Sequence, residues 1–129
     1  MSSVKGTFDV KLTPQPPFAT TDAVKLVQVG VDKQFHGALE GTSHAEMVAA
    51  NTTVQGSAGY VAIELVTGTL QGRAGTFVLQ HSGTMTRGAP SLTLTVVPDS
   101  ATGDLRGLSG SMKIDIVDGQ HFYTFDYDI

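Results

Sequence analysis

The chain of 129 residues contains no cysteine, which excludes disulfides, thiolate metal sites and cysteine nucleophiles. It also carries few charges, since Asp, Glu, Lys and Arg make up 16% of its residues, compared with about 25% in a typical soluble domain. Less of the surface is therefore available for charged solvation. We expect a lined cavity or a subunit interface to account for the difference.

The sequence lacks the features that nucleic-acid, membrane and nucleotide partners require. The net charge is −4 and the pI is near 5.3, with no stripe of Lys or Arg, which argues against a nucleic-acid partner. No segment approaches the ~20 apolar residues needed to span a bilayer, and the N-terminus lacks the apolar core of a signal peptide. We therefore expect a cytoplasmic protein with no membrane partner. No phosphate loop or dinucleotide fingerprint is present, and no cofactor is expected.

What the chain does contain is a repeated glycine motif, Gly-x-Leu-x-Gly, which begins at Gly37, Gly68 and Gly103. Two strand-like runs fit between successive copies. Glycines at such places supply positive φ angles or let backbones approach closely, and the single leucine can close the end of a hydrophobic core. We interpret the motif as a corner that is repeated around a closed antiparallel sheet.

The segments between these corners alternate apolar and polar residues with the period of two that is typical of β-strands. Predicted strands cover residues 4–12, 23–35, 58–66, 76–85, 91–97, 112–116 and 121–128. Residues 42–50 have the Ala, Glu and Met content of a helix, but the segment is short and precedes a turn-rich link, so we predict an eighth strand there. The prediction is one all-β domain, residues 1–129, folded as a single closed antiparallel β-barrel of about eight strands.

The strand predicted at residues 58–66 is apolar on both faces, with Glu64 as its single charge. A strand of this kind belongs in the middle of the structure. One face then packs on the core, and a partner or a covering segment packs on the other.

Glu64 and His81 each interrupt an apolar strand face. A hairpin through the second corner pairs Glu64 with Leu79 or His81, and the preceding link places Glu46 beside Ala62 or Glu64. We therefore expect Glu46, Glu64 and His81 to form a belt on three neighbouring strands. A carboxylate beside an imidazole in a dry cavity is a general acid–base pair, because burial raises the carboxyl pKa towards neutrality. The alternative is a buried polar cluster whose members only satisfy one another.

Tyrosines that face inwards add candidate ligand contacts, since each combines an apolar ring with a hydroxyl that can donate a hydrogen bond. The favoured alternative is that they pack in the core, and outward-facing tyrosines would belong to an interface. Glu64 and His81 are the catalytic candidates. The predicted ligand contacts are Glu46, Tyr60, Phe77, Leu79 and Tyr123. The four histidines lack the short two-ligand spacing of a zinc site, and we expect no metal.

Three stretches resemble a group of small bacterial proteins that form a domain family of unknown function. They are VTGTLQGRAGTFVLQH at 66–81, VVP with TGDLRGL at 96–98 and 102–108, and HFYTFDY at 121–127. The resemblance extends from about Lys5 to the C-terminus. It implies a calycin-like barrel similar to that of allene oxide cyclase, and a tendency to form oligomers.

The wider fold group includes isomerases and cyclases that shape a hydrophobic substrate inside the barrel, which is an analogy of fold alone. Allene oxide cyclase uses a buried glutamate, and its pocket contains a cysteine. This chain has no cysteine, and its glutamates do not match the cyclase motif residue by residue. No catalytic residue is therefore carried over.

Three functions remain open at this point. The first is the binding of a small apolar or amphipathic molecule inside the barrel. The second is a cofactor-independent isomerase or cyclase, with Glu64 as acid or base, His81 as its partner and Tyr60 orienting. The third is a structural or interaction protein whose barrel is filled by its own side chains, with no cavity above roughly 100 Å³ against the ~300 Å³ of a usual pocket. For each we expect a homo-oligomer.

Overall fold

Nine strands and one short 3₁₀ turn make up the fold in a computed structural model that describes residues 1–129. The strands are β1 (Ser2–Pro14), β2 (Ala19–Thr20), β3 (Val24–Gly37), β4 (Leu39–Thr52), β5 (Ala58–Leu70), β6 (Arg73–Thr86), β7 (Ala89–Val96), β8 (Ser109–Val117) and β9 (Gln120–Asp128). The 3₁₀ turn is Gly103–Leu105. No helix has the length and apolar character that crossing a bilayer requires.

The sheet closes on itself. Every neighbouring pair is antiparallel, in the order β1-β9-β8-β7-β6-β5-β4-β3, and β1 also pairs with β3. The short β2 adds to the edge of β3. The predicted closed antiparallel barrel of eight strands is therefore confirmed, with one extra strand, and residues 42–50 lie in β4 as a strand.

The repeated glycine corners close one end of the barrel, as the sequence predicted. Their leucines, Leu39, Leu70 and Leu105, are each no more than 1% exposed and belong to one cluster of 16 buried residues. Gly41 and Gly68 lie directly opposite each other on β4 and β5. A Cβ on Gly68 would overlap the carbonyl oxygen of Glu40, so the close approach of the two strands requires glycine.

Aromatic side chains fill the same half of the barrel. Phe35, Phe77, Phe125 and Tyr123 are each no more than 1% exposed, and the rings of Phe77 and Phe125 stack with centroids 6.0 Å apart. The Tyr123 hydroxyl accepts a hydrogen bond of 2.9 Å from the backbone N–H of Leu39 and lies 3.1 Å from the carbonyl oxygen of His36. Tyr123 thus ties β9 to the β3–β4 corner.

The packed end of the barrel generates a first prediction. Gly68→Ala should lower the free energy of unfolding by about 1–3 kcal/mol, because the added methyl group has to displace backbone atoms. Gly59→Ala on the same strand is the matched control, since its Cβ would meet its nearest neighbour at 3.7 Å, and it should change stability by less than about 1 kcal/mol. Urea denaturation of both variants measures the difference. Equal stabilities would contradict the close-approach argument.

Candidate functional site

The other half of the barrel is not filled. It contains a cavity of about 550 Å³, at the end where the β4–β5, β6–β7 and β8–β9 turns lie. Small inward-facing side chains leave this space, notably Ala45, Ala49 and Ala62, which are 3–7% exposed. A usual ligand pocket begins at ~300 Å³. The alternative of a barrel filled along its whole length by its own side chains is therefore wrong for this chain.

The cavity wall is mostly apolar, since 14 of its 24 lining residues are hydrophobic. Near the mouth they include Leu12, Met85, Leu92 and Ile116, which are 40–63% exposed. The wall is least continuous between β7 and β8, which share a single register pair, Thr95–Ser111. An apolar molecule would therefore find apolar contacts from the mouth down to the middle of the barrel.

The floor of the cavity is polar and centres on Glu64, whose side chain is 0% exposed. Its Oε1 atom lies 3.0 Å from Nζ of Lys33 and 2.7 Å from Nε2 of His81. Its Oε2 atom accepts a hydrogen bond of 2.6 Å from the Ser43 hydroxyl. Each of the four neighbouring strands β3 to β6 contributes one side chain to this cluster. In chain order they are Lys33, Ser43, Glu64 and His81, and the pairing of these strands brings them together.

The cluster reverses the pKa shift expected for Glu64. Burial by itself raises the pKa of this carboxyl group, but the hydrogen bond from His81, the charge of Lys33 and the hydrogen bond from Ser43 together outweigh it. The pKa of Glu64 falls from 4.5 to about 2. The predicted rise towards neutrality is therefore wrong, and the carboxylate is an ionised acceptor rather than a proton donor at neutral pH.

Lys33 supplies the compensating charge and was not predicted from the sequence. Its ammonium nitrogen lies 4.8 Å from the ring centroid of Phe8 and 5.8 Å from that of Phe35, so two aromatic faces stabilise a cation that is nearly buried. The alternation of inward and outward residues along β3 could have revealed it, because Lys33 occupies the inward position between Val31 and Phe35. A buried lysine at an inward strand position needs a buried acid.

The cluster extends from the floor to the cavity through His81 and Tyr60. Because ionised Glu64 only accepts hydrogen bonds, Nε2 of His81 is the donor to it. In the neutral ring Nδ1 is then an acceptor, and the Tyr60 hydroxyl, 3.1 Å away, donates to it. Burial, and then the charge of Glu64, raises the pKa of Tyr60, so this hydroxyl stays protonated. The result is a hydrogen-bonded chain from the cavity to Glu64.

Of the seven predicted site residues, the structure brings three together: Glu64, His81 and Tyr60. Phe77, Leu79 and Tyr123 lie in the packed half of the barrel and do not line the cavity. Residues that line the cavity but were not predicted include Lys33, Met47 and His121.

Glu46 lies on the outer face of the barrel, which overturns the predicted belt. Its register partner on β5 is Ile63 rather than Ala62 or Glu64. A shift of one residue moves a side chain to the opposite face of a sheet. Glu46 binds Gln28 and His44, with Gln28 Nε2 at 3.0 Å. No group of three or more His, Cys, Asp or Glu side chains is arranged to hold a metal ion.

Fold and site together define a small closed β-barrel that is packed at one end and carries a pocket with a polar floor at the other. The chain belongs to DUF3224, a protein family of unknown function whose model matches residues 4–127. It is similar to the crystal structure of a DUF3224 protein of unknown function from Shewanella oneidensis MR-1, with a TM-score of 0.95 and 53% sequence identity, covering 100% of this chain and 98% of that one. No curated protein matches the chain. The resemblance to a bacterial family of unknown function is thus confirmed.

The depressed pKa of Glu64 predicts how stability depends on pH. Because the folded pKa lies below the unfolded value, the stabilisation is fully present above pH 4.5 and is lost as the pH falls towards 2. A shift of this size corresponds to about 3 kcal/mol. Wild type should therefore lose stability steeply between these pH values, whereas Glu64→Gln should be less stable at pH 7 and lack that part of the acid-induced loss.

Urea denaturation at several pH values from 2 to 7 measures this dependence. Glu46→Gln is the matched control. Hydrogen bonds from Gln28 and His44 also lower the pKa of this outer carboxyl group, but the variant leaves Glu64 in place, so the part of the acid-induced loss that belongs to Glu64 should persist. A Glu64→Gln variant with the same acid-induced loss as wild type would contradict the assignment of Glu64 as a buried, ionised carboxylate.

Proposed function

We propose that this protein binds a small molecule with an apolar body and a neutral hydrogen-bonding group inside the open half of its barrel. The observation that carries the proposal is the cavity of about 550 Å³, whose lining is mostly apolar and whose floor carries the buried polar cluster of Glu64. Ligand pockets typically have this composition, with a few polar groups that fix the orientation of the ligand. The location of the protein in the cytoplasm stays a prediction from the sequence.

The charge balance of the floor supports a neutral head group. The carboxylate of Glu64 and the ammonium of Lys33 already neutralise each other, so a carboxylate or phosphate on the ligand would add a buried negative charge that the ammonium of Lys33 does not balance. Donors are nevertheless available. An ammonium has three N–H groups, and Lys33 makes one hydrogen bond, to Glu64. A carbonyl or hydroxyl oxygen is the acceptor that suits this floor.

A second candidate function is proton transfer without a cofactor, and the chain of Tyr60, His81 and Glu64 favours it. The order of roles differs from the one predicted, because Tyr60 is the member nearest the cavity and Glu64 the member that orients His81. Tyr60 would take a proton from the ligand while passing its own to Nδ1 of His81, and Glu64 would stabilise the resulting imidazolium. Return of the proton to another atom of the ligand would complete an isomerisation.

Ligand binding can be tested with N-phenyl-1-naphthylamine, a neutral apolar fluorophore. We expect saturable binding to wild type, and a loss of affinity of at least about tenfold in Ala49→Phe, because the new ring would occupy the cavity. Ala50→Phe is the matched control, since Ala50 follows on the same strand but faces outwards. Fluorescence titration measures both. Equal affinity in the two variants would place the probe outside the cavity and contradict the proposal.

The two candidate functions can be separated with the compound that co-purifies with the protein. Native mass spectrometry followed by denaturing extraction should recover a small neutral compound that wild type retains. Incubated with wild type in D₂O, it should gain carbon-bound deuterium if the barrel transfers protons, and Tyr60→Phe should still bind it but abolish the gain. If wild type binds the compound but adds no carbon-bound deuterium, the ligand-binding function stands and proton transfer is excluded. An empty protein that also fails to bind the fluorophore would contradict both functions.

A further inference from the structure

One histidine of the cavity takes no part in the polar cluster around Glu64. His121 is the second residue of β9 and lines the cavity, between Phe8 on β1 and Ile116 on β8 in the register of the sheet. It occupies the inward position two residues before the buried Tyr123. Its polar ring thus stands on a stretch of wall whose strand neighbours are apolar.

The imidazole of His121 makes no hydrogen bond within the protein. The other three histidine rings each contact a carboxylate, in the pairs His36–Asp9, His44–Asp32 and His81–Glu64. No buried side-chain nitrogen or oxygen of the protein lacks a partner. Because His121 is partly buried and its ring has no partner, both of its ring nitrogens must reach open space. They are therefore available to a molecule in the cavity.

The stagger of the strands places His121 at the height of the polar cluster. Followed pair by pair through β1, β3, β4 and β5, the register of His121 reaches Gly75 on β6. Followed the other way through β8 and β7, with the single β7–β8 pair extended, it reaches Met85, ten residues farther along the same strand. This difference is the shear of the barrel, spread over eight strands. The first route takes five of the eight steps, so the residue of β6 that is level with His121 lies about six residues beyond Gly75, and it is His81. Since β9 is opposite β5 in the closed order, His121 faces the cluster of Glu64 across the floor.

Phe8 connects the two sides of the floor. Nζ of Lys33 lies 4.8 Å from the centroid of the Phe8 ring, and the centroid of the His121 ring lies 5.0 Å from it. The sum of these distances, 9.8 Å, is the largest separation possible between the ammonium nitrogen of Lys33 and the centre of the imidazole. A small ring system with a polar atom on each side can therefore contact both groups at once.

The chemistry of an imidazole without a protein partner selects the group that it binds. A neutral imidazole has one donor and one acceptor nitrogen, and no carboxylate fixes which nitrogen of His121 carries the proton. A hydroxyl both donates and accepts, so it matches either tautomer. An apolar group in the same place would displace water from the ring nitrogens and leave them without a partner, which costs binding free energy.

We infer that His121 determines the specificity of the pocket by binding a hydroxyl group of the ligand. The ligand then carries two oxygen functions on an apolar body, an acceptor against Lys33 and a hydroxyl on the side that faces β9. This inference rests on the proposed binding function and adds the chemical class of the ligand to it. Two polar contacts on opposite sides of the floor fix one orientation of the ligand, whereas one contact leaves it able to rotate about the barrel axis.

Isothermal titration calorimetry with 2-naphthol and with 2,3-, 2,6- and 2,7-naphthalenediol tests the inference, because the diols add a hydroxyl to the same apolar body at three separations. At least one diol should bind wild type about fivefold more tightly than 2-naphthol, the size expected of one neutral hydrogen bond. His121→Phe keeps an aromatic ring beside Phe8. It should bind 2-naphthol nearly as wild type does and lose the preference for the diol, apart from the statistical advantage of a symmetrical compound. His121→Gln supplies a donor and an acceptor again and should recover part of the preference.

His36→Phe is the matched control, because His36 lies on the outer surface beside Asp9, and this variant should keep the preference of wild type. Nitrogen NMR of the imidazole rings gives a measurement that needs no variant, since the preferred diol, but not 2-naphthol, should shift the ring nitrogens of His121. Equal binding of the diols and 2-naphthol by wild type, a preference that persists in a folded His121→Phe, or unshifted ring nitrogens would overturn the inference and leave the binding of an apolar molecule intact. If neither 2-naphthol nor any diol binds wild type, the proposed function fails and the inference fails with it.

Discussion

A single buried carboxylate determines the character of the site. Glu64 has no exposed surface, and an ionised group in such a place has to be compensated by charge and hydrogen bonds. Lys33, Ser43 and His81 provide that compensation from three neighbouring strands. The cluster therefore depends on the register of β3 to β6, and a slip of one residue on any of these strands would turn its contribution outwards.

This cluster lies between two halves of the barrel, one packed with large side chains and one that contains the cavity. Below it, leucines from the glycine corners and stacked aromatic rings fill the interior as members of one cluster of 16 buried residues. Above it, alanines replace those large side chains and leave the cavity. The large buried side chains are concentrated in one half and the other half contains the cavity, an arrangement that suits the proposed binding of a small molecule.

Strand alternation along β5 separates the buried charge from exposed apolar side chains. Strand alternation places Glu64 inside and its neighbours Ile63 and Leu65 outside. One strand thus supplies both the centre of the polar cluster and exposed apolar side chains on the outer surface.

The sequence by itself determined the all-β class, the closed barrel, the function of the leucines in the corners and the closeness of Glu64 to His81, because period-two alternation and glycine spacing are local signals. It did not determine the face of Glu46, since a turn of uncertain length leaves the register open by one residue. Nor did it determine the ionisation of Glu64. Only the tertiary structure decided that, because the pKa depends on Lys33, which lies 31 residues away in the chain and 3.0 Å away in space.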